Sequence, residues 1–253
     1  MAAIPVTPAP GAGPEPTPLS EPARIFNTYI APAKTFIDIR RNASWWAPWL
    51  LISFVSLVFI AVIGRQIGFE QIAHNQIEHS SRAERFDKLP PEQQARQLRF
   101  AAALTRYIAY ASPVTILLAF LLTAVALWAT FKLVAASDLS FGTAMAIVAY
   151  GSLPGLIGAL LGIISLFAGV DREGFNVKNP IATNPAYFMD PAGSKFVYVM
   201  ASALDIFVIW NIVVMGIGFA LNTKVKRSNA ILIVAAWYVL WKLLAAGLAA
   251  ATS

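Results

Sequence analysis

The sequence predicts an all-α, polytopic membrane protein: a bundle of five transmembrane helices, with an N-terminal interfacial amphipathic helix and a helical outer loop. Three observations lead there. Five apolar runs, 45–64, 107–131, 139–170, 196–223 and 230–252, punctuate the chain. Each is long enough for a bilayer core, which takes about 20 residues at roughly 1.5 Å rise per residue. Two of the runs carry one charge each, Asp205 and Lys242, and the other three carry none. Finally, 58% of the 253 residues are hydrophobic and only 13% are charged, against about 25% charged in a soluble domain. Surface that apolar needs lipid around it.

The elements follow in order. Residues 1–22 hold seven prolines and no apolar signal-peptide core, so a disordered, Pro/Ala-rich tail is expected and a cleavable signal peptide is not. Ser20 is a helix-cap residue with Pro22 in the turn after it, and Ile25, Phe26, Tyr29 and Ile30 then recur at helical spacing. Pro32 restarts the chain, and Phe36, Ile37 and Ile39 recur beside Lys34, Asp38, Arg40 and Arg41. That pattern predicts a segment lying in the headgroup plane. Trp45, Trp46 and Trp49 mark where the first span enters lipid.

Residues 65–106 are polar, with charges of both signs, and are divided by Pro90 and Pro91. Pro91 with Glu92 signals a helix start. The helix then runs through Arg96, Arg99 and Arg106 into the second span, bending at Pro113. A hairpin-like cap outside the membrane is predicted, too poor in large apolar residues for a core of its own. The third run is longer than a bilayer requires, so it tilts, breaks or protrudes, and Pro154 in its middle removes a backbone hydrogen bond. Asn176, Asn179, Pro180, Asn184, Pro185 and Pro191 make 171–195 an ordered loop with Asx-type turns. Lys224, Lys226 and Arg227 form a basic turn before the last span.

Five spans put the two ends of the chain on opposite sides. Arg24, Lys34, Arg40, Arg41, Lys132 and the basic turn fall on one side, whereas the charges of 171–195 cancel and 65–106 sets seven basic residues against five acidic ones. Orientation follows the short segments near span ends, which places the N-terminus in the cytoplasm and the C-terminus outside.

Few residues invite chemistry. The chain has no cysteine, which excludes disulfides, thiolate catalysis and cysteine-ligated metal sites. No nucleophile elbow, phosphate loop or zinc-protease motif occurs, so enzymatic activity and a cofactor are not expected. Glu70, His74 and Glu78 align at i, i+4, i+8. Such a face could hold a metal weakly, but a solvated face with Glu78 paired to Arg82 is the better reading, and His79 falls on a different face.

Gly151, Gly155, Gly158, Gly162, Ser165 and Gly169 recur at steps of 4, 3, 4, 3 and 4, one helix face without side-chain bulk. It predicts backbone-close packing inside the bundle, with contact between copies or a lipid groove as alternatives. Asp205 and Lys242 lie at depths only about 6 Å apart, counted at 1.5 Å per residue from the basic turn, and Asn211 is nearer the depth of Lys242. The expectation is an intramembrane polar cluster of Asp205, Asn211 and Lys242. It would be a structural ion pair, a pair of snorkelling side chains or an ion or proton path.

These segments resemble the bacterial branch of the Yip1-domain family, in which a short amphipathic stretch leads to W-x-x-P-x-L-L. The resemblance rests on RIFNTYIAPAKTFIDIRRNASWWAPWLL, PPEQQARQL, AYGSLPGLIGALL, FNVKNPIATNPAYF and ALDIFVIWNIVVMGIGFA, in that order. It covers 23–253 as one five-span membrane domain and implies a cytoplasmic N-terminus, in a bacterial inner-membrane protein. Tyr150, Pro154 and Gly155 fall in the family's third-span motif, and Asp205, Phe207 and Trp210 in its most recognisable span. Eukaryotic members resemble adaptors that bind small GTPases and one another through long N-terminal regions and help shape membranes; here that region is short and mostly proline and alanine. The expected function is therefore non-enzymatic membrane organisation or a trafficking-like process. Membrane lipids, other copies or other membrane proteins would be partners, and nucleic acid would not. The alternative is a small carrier with its site at Asp205, Asn211 and Lys242, and a weaker one is a metal-dependent enzyme using Glu70 and His74.

Overall fold

The computed structural model describes residues 17–78, 80, 83–169, 175–191 and 193–251. Most of the proline-rich tail, His79, the Glu78–Arg82 pairing, the start of the loop at 171–174 and the run ends at Val170 and Thr252 lie outside the described residues. Every regular element among those described is helical.

The lead-in is a pair of helices. Ser20 accepts a hydrogen bond from the Ala23 amide and starts α1 (Glu21–Ile30), and α2 (Pro32–Asp38) follows after Ala31. A single interfacial helix cannot form here, because Pro32 has no N–H to donate to the turn before it. The first span is α3 (Trp46–Gln66). The outer segment folds as α4 (Phe69–Glu78), α5 (Ala83–Asp87) and α6 (Pro91–Tyr110). The start of α6 at Pro91 is where the sequence signals it. Ala111 alone separates α6 from α7 (Ser112–Ala135), whose first turn holds Pro113. Residues 107–110, expected in the second span, thus end the helix before it.

The third run is broken as Pro154 requires. α8 (Phe141–Gly151) and α9 (Pro154–Phe167) meet at Ser152 and Leu153, with Pro154 opening the second helix. A 3-10 turn, Pro185–Phe188, lies in the loop that follows. The fourth run, expected as one helix over 196–223, is α10 (Lys195–Ser202) and α11 (Ile206–Asn222), bent by 54° at the break before Asp205. α12 (Arg227–Ala251) closes the bundle. Four stretches, Trp46–Gln66, Ser112–Val134, Phe141–Phe167 and Arg227–Ala251, are each long and apolar enough to cross a membrane, and the bent α10–α11 pair makes a fifth.

α8 and α11 form the centre. Every residue from Ala144 to Gly151 is buried, whereas in α12 only Ala230, Val234 and Ala246 are. The predicted small-residue face is what lets α11 lie close. A side chain on Gly151 would meet Met215, one on Gly155 would meet Asn211, and one on Gly158 would meet Phe207. Ascending numbers meet descending ones, so the two spans pack antiparallel with one residue of α11 lodged at each gap. Gly162 faces Phe59 of α3 and Pro180 instead, and the Ser165 hydroxyl donates to the Gly162 carbonyl. Gly169 does not belong to this face. It follows the end of α9 with φ +89° and nothing within 4 Å, a conformation that suits glycine at a helix stop.

At one end of the bundle, Phe131 stacks on Phe219 with ring centroids 4.5 Å apart, and Gly142 approaches Ala43. α12 crosses α11 at Gly216, where a Cβ would lie 2.7 Å from the Ile231 Cα and 3.0 Å from its amide nitrogen. Backbone cannot swing aside as a side chain can. Gly216→Ala is therefore expected to cost about 1–3 kcal/mol, the usual range for overpacking. Gly247→Ala, with nothing within 4 Å, is expected to leave stability unchanged or slightly raised. Thermal unfolding of both variants in the same detergent measures the contrast.

Candidate functional site

Two polar sites hold the apolar bundle together, and the helix breaks explain both. The first fastens the lead-in. Arg24 is 3% exposed and Asp38 6%, and Arg24 Nε donates to Asp38 Oδ2 at 2.7 Å. Asp38 Oδ1 accepts from the Leu19 amide at 3.2 Å, and Arg24 Nη1 reaches Glu21 Oε1 at 3.4 Å. Tyr150, fully buried in α8, donates its hydroxyl to the other Glu21 oxygen. Thr28 and Thr35, on facing helices, both donate to the Arg24 carbonyl, at 2.8 and 2.9 Å. Burial works against the charge on Arg24, but the hydrogen bond and charge of Asp38, with Tyr150 and Glu21 beside it, together outweigh this and hold its pKa above the ordinary arginine value.

This network closes the helix pair and docks it on the bundle. Tyr29 donates to the Leu153 carbonyl at 2.8 Å, inside the α8–α9 break, and its ring meets Trp210 edge-on at 6.1 Å. Burial pushes the Tyr29 phenol up to about 12. Asn222 at the end of α11 donates to the Phe36 carbonyl at 3.1 Å, and Phe36 lies against Gly218, whose missing side chain makes the seat. The segment expected in the headgroup plane therefore buries one face, with Phe36 and Ile39 fully covered, in the bundle. Its other face leaves Phe26, Ile30 and Ile37 exposed. The amphipathic pattern was legible, but the partner of its polar face was not. The available signal was one tyrosine, Tyr150, in the middle of an uncharged run.

The second site lies at the break in the fourth span. Asp205 caps α11, accepting from the Phe207 and Val208 amides at 2.9 and 3.2 Å. Helix starts leave such amides without partners, so the carboxylate that ends α10's run also begins the next helix. Its second oxygen takes the Thr183 hydroxyl, with Asn184 Nδ2 at 3.4 Å. Asn179 and Asn184 exchange amide hydrogen bonds, and Tyr198 accepts from Asn176 at 2.9 Å. The outer loop is thus pinned into the break.

The expected cluster of Asp205, Asn211 and Lys242 does not assemble as one site. Lys242 reaches the last residue of α10 and makes no ion pair with Asp205. Its Nζ lies 3.4 Å from Ser202 Oγ and 5.7 Å from the centre of the Tyr238 ring. Asn211 serves another break, accepting from the Gly155 amide at 3.1 Å in the first turn after Pro154. Depth along a span was readable, but the side of the helix on which each partner sits was not. Glu70, His74 and Glu78 share α4, where His74 Nδ1 approaches Glu78 Oε1 at 3.4 Å. Among the described residues, no three His, Asp or Glu side chains gather as metal ligands.

Helices of this length and apolarity, broken and capped inside the bundle, define a multi-pass integral membrane protein. The Yip1 domain matches residues 26–249, and the chain belongs to the Yip1 family. Neither a curated protein nor a solved structure matches it. The residues that resemble the family's motifs each hold a place in the packing described above. Tyr150 takes Glu21, Pro154 opens α9, Phe207 fills the gap at Gly158, and Trp210 packs on Tyr29.

Two outcomes test these roles. Asp38→Asn leaves the buried Arg24 charge with only its longer contact to Glu21 at 3.4 Å, and breaking a buried pair in this way typically costs up to about 3–5 kcal/mol. Hydrogen exchange is expected to show amide protection lost across 20–39 before it is lost in α8 and α11. At the second site, Asp205→Ala is expected to cost about 0.5–2 kcal/mol through the lost cap, whereas Asp205→Asn retains most of it. Detergent unfolding midpoints of the two variants give the comparison.

Proposed function

We propose that this protein is a non-enzymatic organiser of its membrane. It acts through lipid and helix contacts and uses no cofactor or nucleic acid. One observation carries the reading: an amphipathic helix pair is clamped to the bundle core by buried charges while its apolar edge faces outward. Phe26, Ile30 and Ile37 are 63%, 66% and 50% exposed. A rigidly held apolar edge at one end of a bundle displaces lipid in one leaflet more than in the other, as surface-lying amphipathic helices do.

The same end carries Arg40 and Arg41 after α2, Lys132 near the end of α7, and the Lys224/Lys226/Arg227 turn. This clustering supports an N-terminus in the cytoplasm, a C-terminus outside and a place in an inner membrane. The carrier reading is disfavoured. Its three residues serve different partners, Asp205 capping α11 and Asn211 capping α9. Partners of this kind are lipids, further copies or other membrane proteins.

The test is reconstitution into vesicles of defined size. The native chain is expected to shift the size distribution toward smaller vesicles, and a Phe26→Ser, Ile30→Ser, Ile37→Ser variant with unchanged protection of α1 and α2 is expected to shift it less. Equal distributions for the two chains would overturn the reading.

A further inference from the structure

α6 is the least covered large element, and its pattern is not that of a solvated helix. Leu98, Ala102, Thr105 and Ala109 recur on one side and are its more covered residues, with α4 packed against the helix. The opposite side presents Phe100 at 72% exposure, Leu104 at 49%, Tyr107 at 76% and Ile108 at 60%. At about 100° per residue, Arg96, Arg99 and Arg106 fall along one flank of that apolar side. All three are exposed. None makes an ion pair among the described residues, not even with Glu92 one turn before Arg96. Arg99 donates only to the Ala95 carbonyl of its own helix.

The stripe does not stop at the end of α6. With one residue between the helices, Phe100, Leu104 and Tyr107 continue in register into Val114, Leu118 and Leu122 of α7, which are 60%, 53% and 67% exposed. Those α7 residues lie exposed on a stretch long and apolar enough to cross a membrane, where such side chains meet acyl chains. The same solvent therefore extends along the stripe onto α6, up to the level of the arginines.

From this continuity we infer that α6 is a docking surface for anionic phospholipids in the leaflet on the side of the outer segment. Phe100, Leu104 and Tyr107 enter the boundary between headgroups and acyl chains. The guanidinium groups of Arg96, Arg99 and Arg106 donate to lipid phosphates, which their planar forks fit in pairs of hydrogen bonds. The surface rests on the reading of the protein as one that acts through lipid contacts, and it adds a headgroup preference and a second leaflet to it.

The experiment uses the full chain, which has no native cysteine, so a spin label at Phe100→Cys reports that one position. The protein is reconstituted into phosphatidylcholine vesicles with and without phosphatidylglycerol, and collisions with oxygen and with a water-soluble nickel chelate are compared. With phosphatidylglycerol, the label is expected to be open to oxygen and shielded from the chelate. Arg96→Gln, Arg99→Gln and Arg106→Gln together are expected to reduce that shielding several-fold. Full exposure to the chelate in both vesicles would overturn the inference. So would shielding that ignores lipid charge and the three substitutions, or shielding from both reagents, which would mean a second protein covers the face. A label at Phe26→Cys, read in parallel, separates the two claims: lipid contact there with none at Phe100 removes the α6 surface and leaves the lead-in reading standing.

Discussion

The approach of α11 to the α8–α9 span without intervening side chains is the constraint from which the rest follows. A gap at Gly151, Gly155 and Gly158 admits Met215, Asn211 and Phe207 in turn. Lipid supplies no hydrophobic pressure between apolar helices, so contact of this closeness is what association inside a bilayer relies on. Once the helices are this near, a side chain of one can serve the backbone of the other. Asn211 accepts a hydrogen bond from the Gly155 amide just after the Pro154 break, and Tyr29 donates to the Leu153 carbonyl within it. Packing and polarity are one arrangement here: the gaps admit the hydrogen-bonding groups that make the breaks tolerable in hydrocarbon.

Charge is handled in the same spirit. Arg24 and Asp38 are both buried, and each has a further partner, Glu21 for one and the Leu19 amide for the other. An ion pair removed from water seldom adds stability over an apolar contact, and its better-supported use is to fix one arrangement among several. Here it sets how α1 lies on α2, and Tyr150 then sets how the pair lies on α8. Threonines back-bonded to a shared carbonyl complete the arrangement without leaving either hydroxyl unsatisfied.

How much was legible in the sequence depended on whether the cause was local. The start of α6 at Pro91, the Ser20 cap and the Pro154 break follow from residues acting on their own backbone, and they fall where the pattern puts them. The small-residue face was readable from spacing alone, except that Gly169 keeps the spacing while serving a helix stop. The fourth-span break is not legible because Asp205, in an apolar run, reads as a charge to be paired. In the structure it is a cap, and an aspartate in an apolar run fits either role until the outer loop brings Thr183 to it. The polar clamp was missed for a different reason. Tyr150 lies 129 residues from Glu21 along the chain, and nothing local tells a charged lead-in that faces headgroups from one that faces a buried tyrosine.

That distance along the chain has a consequence for how the protein is made. Glu21 waits for Tyr150, and Phe36 waits for Asn222, 186 residues later. Arg24 and Asp38 can meet as soon as both are synthesised, but their seat is completed only when the fourth span arrives. Elements made before the spans that seat them are therefore among the last to reach their native contacts. Until then the membrane surface must shelter them, and their amphipathic pattern is suited to lying there. The apolar edge that stays exposed in the finished molecule thus also suits a holding position during assembly.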